Sequence, residues 1–258
     1  IAVYSKIIYD LDKNAVIAIL PSDHYVKDKK KFIRIFRRGI DIAKNNNIVT
    51  FGITPTRPET GYGYIKIKGK TKKAKVYYRI EKFIEKPDIL KAKKLIKDKR
   101  FYWNSGIFIF RADTLLKEMQ KFIPKTYEIL MQVKNKNDCT KLWPYLPSES
   151  FDYAIMEKMN KAVLLPLECG WSDVGSWLAL TELMKKNKNG NIFKGKCLDI
   201  ASKNTFVWSD DRIIATLGLE DIIIINTKGA LLVCNKDKAQ DVRKIVESLK
   251  LNNLRKHL

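Results

Sequence analysis

Apolar positions along the 258-residue chain switch between strand-like and helix-like spacing. The run VIAIL at 16–20 stops at Pro21, Ser22, Asp23 and His24, which is typical of a buried, parallel-type strand that ends in a turn. The following segment has helical spacing, with one apolar face formed by Phe32, Phe36, Ile40 and Ala43.

Further segments continue this alternation. Strands are predicted at 48–53 and 106–110 and a helix at 88–99, while residues 66–84 indicate a hairpin with a basic turn. Helical patterns return at 111–134, 148–159 and 173–184. Such a succession is typical of an α/β fold with a parallel or mixed sheet covered by helices.

The composition changes at KKNKNGN, residues 185–191, which we interpret as a loop between domains. We therefore predict one domain over 1–187 and a small β-rich carboxyl-terminal domain over 188–258. Its strand candidates are 204–209, 212–219, 221–227 and 230–234, and a helix is predicted at 237–250. No exact internal repeat is visible.

Fifty basic and 28 acidic residues give a net charge of +22. The lysines are interleaved with apolar residues at helical or strand spacing, which predicts solvated outer faces more than a nucleic-acid surface. We expect no nucleic-acid partner, although a basic field also attracts small phosphorylated substrates.

No apolar stretch is long enough to span a bilayer, and the first residues lack the pattern of a secretory signal, so we expect no membrane partner and a cytoplasmic location. The four cysteines are scattered without a CxxC pair, which argues against a disulfide framework or a zinc site. They are typical of free thiols in a reducing compartment.

Polar residues at the ends of the predicted strands are candidates for chemistry, because ligands bind beyond the carboxyl ends of strands in α/β sheets. Asp23 is either such a residue or the cap of the next helix. Gly61 and Gly63 flank Tyr62 in a segment that is either a ligand-contacting turn or a plain loop. Glu85 and Lys86 end a strand, where a surface ion pair is the alternative.

Two further stretches leave the same choice open. Asn104 and Ser105 precede Gly106 and either turn the chain or bind hydroxyl groups. Asp173 starts a predicted helix, where it or Ser172 could act only as a cap.

Seven motifs in order resemble the sugar nucleotidyltransferases, and among them the mannose-1-phosphate guanylyltransferases. The motifs are LPSDH (20–24), FGITPTRPETGYGYI (51–65), FIEKP (83–87), FYWNSGIFIFRAD (101–113), DYAIMEK (152–158), GWSDVGSW (170–177) and ALLVCNKDKAQDVRKIV (230–246). The resemblance covers essentially the whole chain. It implies a nucleotide-diphospho-sugar transferase fold, Rossmann-like, that transfers GMP from GTP to mannose 1-phosphate and releases pyrophosphate.

The resemblance also implies roles for the candidate residues. Asp23 and Asp173 would hold the catalytic Mg²⁺, and Lys86 would meet the sugar phosphate. Contacts to the sugar hydroxyls would come from Glu85 and Asn104. Gly61 and Gly63 would allow the backbone to lie close to the sugar, and Tyr62 would form a wall of the pocket. Ser105 would make a polar contact. His24 would lie near the nucleotide or have a structural role.

Members of this family open with a Gly-rich, arginine-containing loop that holds the nucleotide, and IAVYSKIIYDLDKN at the start of this sequence contains no such loop. We therefore expect that the leading element is missing or is supplied by a separate amino-terminal chain, and that the isolated chain binds GTP poorly. The alternative function is a non-catalytic remnant or subunit that binds sugar phosphate or a partner chain. Homo-oligomerisation is a further possibility.

Overall fold

A computed structural model describes residues 1–69, 77–134, 136–159 and 162–254. Contacts between residues divide the chain into two compact units, Ile1–Trp171 and Ser172–Leu258. The predicted boundary at 187/188 lies beyond this division and remains a prediction.

The first unit alternates strands and helices. Its strands are β1 (Val16–Ile19), β2 (Tyr25–Val26), β3 (Ile48–Ile53), β4 (Tyr64–Ile67), β5 (Tyr78–Ile84), β6 (Phe101–Arg111) and β7 (Ala162–Pro166), and β8 (Trp171–Ser172) lies at the junction of the units. Its helices are α1 (Ala2–Leu11), α2 (Lys29–Ala43), α3 (Ile89–Leu95), α4 (Ala112–Phe122), α5 (Pro124–Met131) and α6 (Lys136–Leu142), with a 3₁₀ turn at Trp143–Tyr145 and a π-helix at Asp152–Met156.

Six of these strands form one mixed sheet in the order β1-β6-β3-β7-β5-β4, with β4 also paired to β6. Strands β3 and β7 are parallel, and the other pairings are antiparallel. The prediction of a mixed sheet is therefore confirmed.

Helices cover both faces of this sheet. Successive residues of a strand point to opposite sides, so each strand contributes side chains to two cores. Val49 and Phe51 of β3 belong to a core that includes the apolar face of α2, as predicted from its spacing. Ile48 of the same strand belongs to a second core, which contains Leu115 and Met119 of α4. The two cores hold the sheet between layers of helices, which fixes the strand ends that carry the candidate residues.

Strand β1 differs from its prediction. It pairs antiparallel with β6 at one end of the described sheet, and only Ile17 of its four residues is buried. Val16 packs partly against the core beside α2 and Ile19 partly against the opposite core. The unbroken apolar run therefore indicates contacts with both cores, and it does not predict the direction of the strand or a central place in the sheet.

The hairpin prediction is confirmed, since β4 and β5 pair antiparallel with Tyr64 opposite Ile84. Its basic turn at 70–76 lies outside the described residues. The helical pattern at 111–134 forms two helices, because Pro124 starts a new one.

The second unit is β-rich, as predicted. It contains α7 (Trp177–Leu183), β9 (Ile192–Lys194), β10 (Cys197–Ile200), β11 (Phe206–Ser209), β12 (Ile214–Leu217), β13 (Ile222–Asn226), β14 (Leu231–Asn235), a 3₁₀ segment at Lys236–Asp241 and α8 (Val242–Leu251). Strands β9, β11 and β13 are parallel neighbours, β14 is antiparallel to β13, and β10 pairs in parallel with β12.

A stack of apolar side chains forms the core of this unit. Register places Ile192 beside Phe206 and Phe206 beside Ile223, and Trp177 and Leu180 of α7 pack on the same cluster. Helix α7 thus belongs to the second unit by its contacts. Among the described residues, no helix is long and apolar enough to cross a membrane.

Candidate functional site

Glu85 and Lys86 lie where β5 ends. Consecutive residues of a strand normally point to opposite faces, but Lys86 adopts a left-handed backbone conformation with φ of 39° just before Pro87. The two side chains meet as a result, and Lys86 Nζ lies 3.5 Å from Glu85 Oε1. The Glu85 side chain is 12% exposed and that of Lys86 56%, so a buried carboxylate is paired with an accessible cation.

Gly63 lies directly against this pair. A Cβ atom at position 63 would be 2.5 Å from Glu85 Oε2 and 3.1 Å from the Phe83 ring, so only glycine allows the backbone to approach the carboxylate this closely. The Gly63 carbonyl accepts a hydrogen bond of 2.8 Å from the backbone N–H of Asn104. Gly63 therefore connects the two predicted sugar-binding residues.

Asn104 lies at an irregularity in the pairing of β3 with β6, where the register shifts between Thr50 and Gly52. Its side-chain oxygen accepts hydrogen bonds from Thr50 Oγ1 and the Gly106 amide, both 3.2 Å, and its nitrogen donates to Asp152 Oδ1 at 3.0 Å. These contacts fix the orientation of the amide group. The alternative that Asn104 turns the chain is wrong, because strand β6 continues through this position with only a shift of register, and the ligand interpretation remains a prediction.

Ser105 is 1% exposed, and its hydroxyl accepts a hydrogen bond of 3.3 Å from the Ile107 amide. Gly106 follows in a left-handed conformation with φ of 69°. The turn interpretation is wrong for Ser105, because the residue lies inside the continuous strand β6, and its polar contact to a ligand remains a prediction.

Asp152, the first residue of the DYAIMEK motif, is a further candidate that was not among the predicted site residues. It starts the π-helix, a rare conformation that is frequent at functional sites. Burial raises its pKa, the hydrogen bond from Asn104 and the charge of Lys86 lower it, and the charge of Glu157 raises it. Burial also raises the pKa of Glu85, as does the charge of Asp152, whereas Lys86 lowers it.

Glu85, Lys86, Asn104 and Asp152 thus form a group that we call the hydroxyl–phosphate cluster. Clustered carboxylates with raised pKa values are unfavourable for the fold at neutral pH, and such groups are concentrated at functional sites. The cluster offers hydroxyl acceptors beside one accessible cation. This combination suits a phosphorylated polyol or sugar.

Tyr62 belongs to a row of aromatic rings next to Gly63. Its ring centroid is 5.1 Å from that of Trp103 and 5.6 Å from that of Trp171, both edge-on, and Tyr62 is 9% exposed. His24 joins the row, because Trp171 Nε1 donates a 3.1 Å hydrogen bond to His24 Nδ1. The geometry fits a wall role for Tyr62 and a structural contact for His24.

Asp23 is exposed in the bend between β1 and β2. The alternative that it caps the following helix is wrong, because Asp28 caps α2 by accepting a 2.9 Å hydrogen bond from the Lys31 amide. The short strand β2 lies between Asp23 and the start of α2, which explains this difference.

Asp173 lies in the second unit, where its Oδ1 accepts a 2.9 Å hydrogen bond from the Gly175 amide. A Cβ at position 175 would be 2.5 Å from Asp173 Oδ2, so glycine is needed in this turn. Neither Ser172 nor Asp173 caps the helix as the alternative proposed, since Ser176 caps α7 through the Ala179 amide at 3.2 Å.

Within the part of the chain that the structure describes, no group of three or more His, Cys, Asp and Glu side chains is arranged to hold a metal ion. Asp23 belongs to the first compact unit and Asp173 to the second.

Comparison with known proteins identifies the family. The pattern of a family described as Nucleotidyl transferase matches residues 1–190. The chain belongs to the nucleotidyl transferase family. A second pattern, described as a MannoseP isomerase/GMP-like beta-helix domain, matches residues 195–249 of this nucleotidyl transferase chain.

Two curated relatives and one solved structure show how far this similarity extends. A Salmonella montevideo protein named mannose-1-phosphate guanylyltransferase is 38% identical over 265 residues, covering 96% of this chain and 55% of that protein. The Pseudomonas aeruginosa alginate biosynthesis protein AlgA is 35% identical over 245 residues, covering 92% and 51%. The chain thus spans about half the length of the curated relatives it matches.

A Thermus thermophilus crystal structure described as mannose-1-phosphate geranyltransferase superposes with a TM-score of 0.85 at 28% identity. The match covers 96% of this nucleotidyl transferase chain and 73% of that chain. The fold class and the family expected from the sequence motifs are therefore confirmed.

Proposed function

We propose that this chain transfers GMP from GTP to mannose 1-phosphate, forming GDP-mannose and releasing pyrophosphate. The observation that carries the proposal is the hydroxyl–phosphate cluster, in which the close approach of Gly63 to Glu85 and the left-handed Lys86 bring a hydroxyl acceptor and a cation together. The name of the Salmonella relative supports the choice of mannose 1-phosphate and the guanylyl group.

The chemistry asks for positioning and charge more than for a base. The phosphate of mannose 1-phosphate is ionised at neutral pH, so its oxygen attacks the α-phosphorus of GTP without losing a proton, and pyrophosphate leaves on the opposite side. We propose that Lys86 neutralises part of the sugar phosphate charge. Such a point charge lowers the repulsion between the two anionic reactants.

Glu85 and Asp152 would accept hydrogen bonds from mannose hydroxyls, with the remaining N–H of Asn104 as a donor. Ionised carboxylates are the stronger acceptors, with both oxygens available, but burial raises both pKa values. Lys86 counteracts this effect, because its charge lowers both pKa values. A bound sugar would then replace the water that ionised carboxylates require.

We propose that Asp23 and Asp173 provide oxygen ligands for Mg²⁺, on the basis of the motif resemblance. Carboxylates are the protein ligands that Mg²⁺ prefers, and Mg²⁺ is usually bound by one or two of them together with substrate phosphates, so the donor set fits. When bound, the ion would neutralise phosphate charge in the transition state. A cytoplasmic location and delivery of GDP-mannose to polysaccharide biosynthesis, suggested by the name of the Pseudomonas relative, belong to the same proposal.

The experiment measures GDP-mannose by chromatography and pyrophosphate by a coupled assay with GTP, mannose 1-phosphate and Mg²⁺. The chain is assayed alone and fused to the Gly-rich amino-terminal segment that the resemblance implies. Formation of GDP-mannose in either form supports the proposal, with glucose 1-phosphate and UTP as poorer substrates. Absence of product in both forms, with binding of mannose 1-phosphate retained, would favour the non-catalytic alternative.

A further inference from the structure

Glu59 is a buried acidic residue to which the motif analysis assigned no role. It is 5% exposed, and its carboxylate accepts hydrogen bonds from Arg57 Nε at 3.2 Å and from the Gly61 amide at 3.0 Å. Burial of a carboxylate is unfavourable unless charge and hydrogen bonds compensate for it. Here the compensating groups are Arg57 and Gly61, two residues before and two residues after Glu59. The side chain therefore stabilises the turn to which it belongs.

The backbone of Glu59 is held as well. Its amide donates to the Tyr64 hydroxyl at 2.9 Å, and that hydroxyl donates to the Glu59 carbonyl at 2.9 Å. Tyr64 is fully buried at the start of β4. The segment 59–64, which we call the glycine turn, is therefore anchored to the sheet at both ends.

The position of the glycine turn decides where two sugar-binding candidates lie. Gly63, its next-to-last residue, lies so close to Glu85 that a Cβ atom would be 2.5 Å from Glu85 Oε2. The Gly63 carbonyl accepts a hydrogen bond from the backbone N–H of Asn104. A displacement of the glycine turn would move the backbone that lies beside the Glu85 carboxylate and that bonds the Asn104 main chain. The link from Glu59 to both residues is thus continuous.

We propose that Glu59 is a positioning residue for the hydroxyl–phosphate cluster: its carboxylate fixes the glycine turn so that Gly63 sets Glu85 and Asn104 for sugar binding. This inference rests on the proposed function for its ligand. It assigns Glu59 no contact with substrate.

The test compares Glu59→Ala and Glu59→Gln with a matched control, Asp113→Ala. Asp113 also pairs with an arginine two residues earlier, Arg111, whose Nε lies 3.0 Å from Asp113 Oδ1 at the far end of β6. Mannose 1-phosphate affinity is measured by calorimetry, thermal stability by scanning fluorimetry, and exposure of the Gly61 amide by hydrogen exchange.

Glu59→Ala removes the hydrogen bonds of the carboxylate with Arg57 and with the Gly61 amide, and we expect about a tenfold weaker affinity and faster exchange of the Gly61 amide. Glu59→Gln keeps an acceptor oxygen for that amide and should recover most of the affinity. Asp113→Ala should lose stability while keeping its affinity. If Glu59→Ala does not fold, Glu59→Asp replaces it with the same expected loss, because its carboxylate is one methylene group shorter and is drawn back from the Gly61 amide.

Unchanged affinity in folded Glu59→Ala, or in Glu59→Asp where that variant replaces it, would overturn the inference, and so would an equal loss of affinity in Asp113→Ala. The unaltered chain is measured first. If it does not bind mannose 1-phosphate, the proposed function fails, whereas normal binding by the unaltered chain with no effect at Glu59 contradicts the positioning role alone.

Discussion

Replacing Gly63 with alanine should weaken sugar-phosphate binding much more than it weakens the fold. The added methyl group would lie 2.5 Å from Glu85 Oε2 and 3.1 Å from the Phe83 ring. The carboxylate is the mobile end of a side chain and can move away, while the ring has to give by only a few tenths of an ångström. Overpacking of this size costs about 1 kcal/mol, a fall in Tm of about 2–4 °C for a protein of this length.

The effect on binding should be larger, because the displaced carboxylate no longer faces the ligand. A hydrogen bond to a charged group contributes about 1.5–3 kcal/mol, which corresponds to a loss of affinity of about 10- to 150-fold. Calorimetric titration with mannose 1-phosphate measures this loss. Gly229→Ala is the matched control, since a Cβ at position 229 has no neighbour within 4 Å.

A double-mutant cycle isolates the cause. If Gly63→Ala acts through Glu85, the substitution should have no further effect on affinity in a Glu85→Ala background. Wild-type affinity in Gly63→Ala, or the same fold loss in both backgrounds, would refute the reasoning.

Three other predictions concern charged residues. Lys86→Met should raise the KM for mannose 1-phosphate about tenfold and that for GTP much less, and steady-state kinetics with equal effects on both substrates would contradict the assignment. Asp152→Asn keeps an acceptor for Asn104 but removes a carboxyl group whose pKa is raised in the folded state. The stability of this variant relative to the unaltered chain should therefore increase as the pH rises from the ordinary carboxyl pKa through the raised one. Urea unfolding at pH 4 and pH 7 checks this, and a gain in stability confined to acid pH would contradict it. Asp23→Asn and Asp173→Asn should each abolish Mg²⁺-dependent turnover with an unchanged Tm, since an asparagine at 173 can still accept from the Gly175 amide; normal Mg²⁺ titration curves in both variants would remove them from the metal site.

Local patterns predicted the elements of this fold whose cause is local. The face of α2 follows from the spacing of four apolar residues, and the β4–β5 hairpin from two short strands around a basic turn. The direction of β1 could not be predicted, because its partner β6 lies about ninety residues further along the chain and both faces of the strand are apolar. Periodicity records which faces are covered and carries no information on which strand is the neighbour.

The second unit shows the same limit. Two of its parallel pairs, β10 with β12 and β11 with β13, have an offset of 17 residues, as in the bond from Thr216 Oγ1 to Asp199 Oδ1, but the paired positions hold different residues. The pair of β9 with β11 has an offset of 14 residues. Phe206 lies beside Ile223 because both are large and apolar, a requirement that many sequences meet. No exact repeat therefore marks the arrangement.

The candidate site was partly predictable for a similar reason. Glu85, Lys86 and Asn104 follow from motifs at strand ends, but Asp152 joins them through a hydrogen bond that spans 48 residues of sequence. An isolated acidic residue at a helix start is more often a cap, so sequence reasoning had no physical ground to select it. Glu59 was not predicted as a site residue, because the sequence of a loop does not show whether a carboxylate in it is buried and paired or exposed.

Calorimetric titration of the chain and of Glu85→Gln with mannose 1-phosphate measures whether the hydroxyl–phosphate cluster binds this ligand. We expect one site, with mannose 1-phosphate bound more tightly than mannose or inorganic phosphate, and a loss of about tenfold in Glu85→Gln. Equal affinity of Glu85→Gln and the unaltered chain for mannose 1-phosphate would show that the cluster is not the binding site.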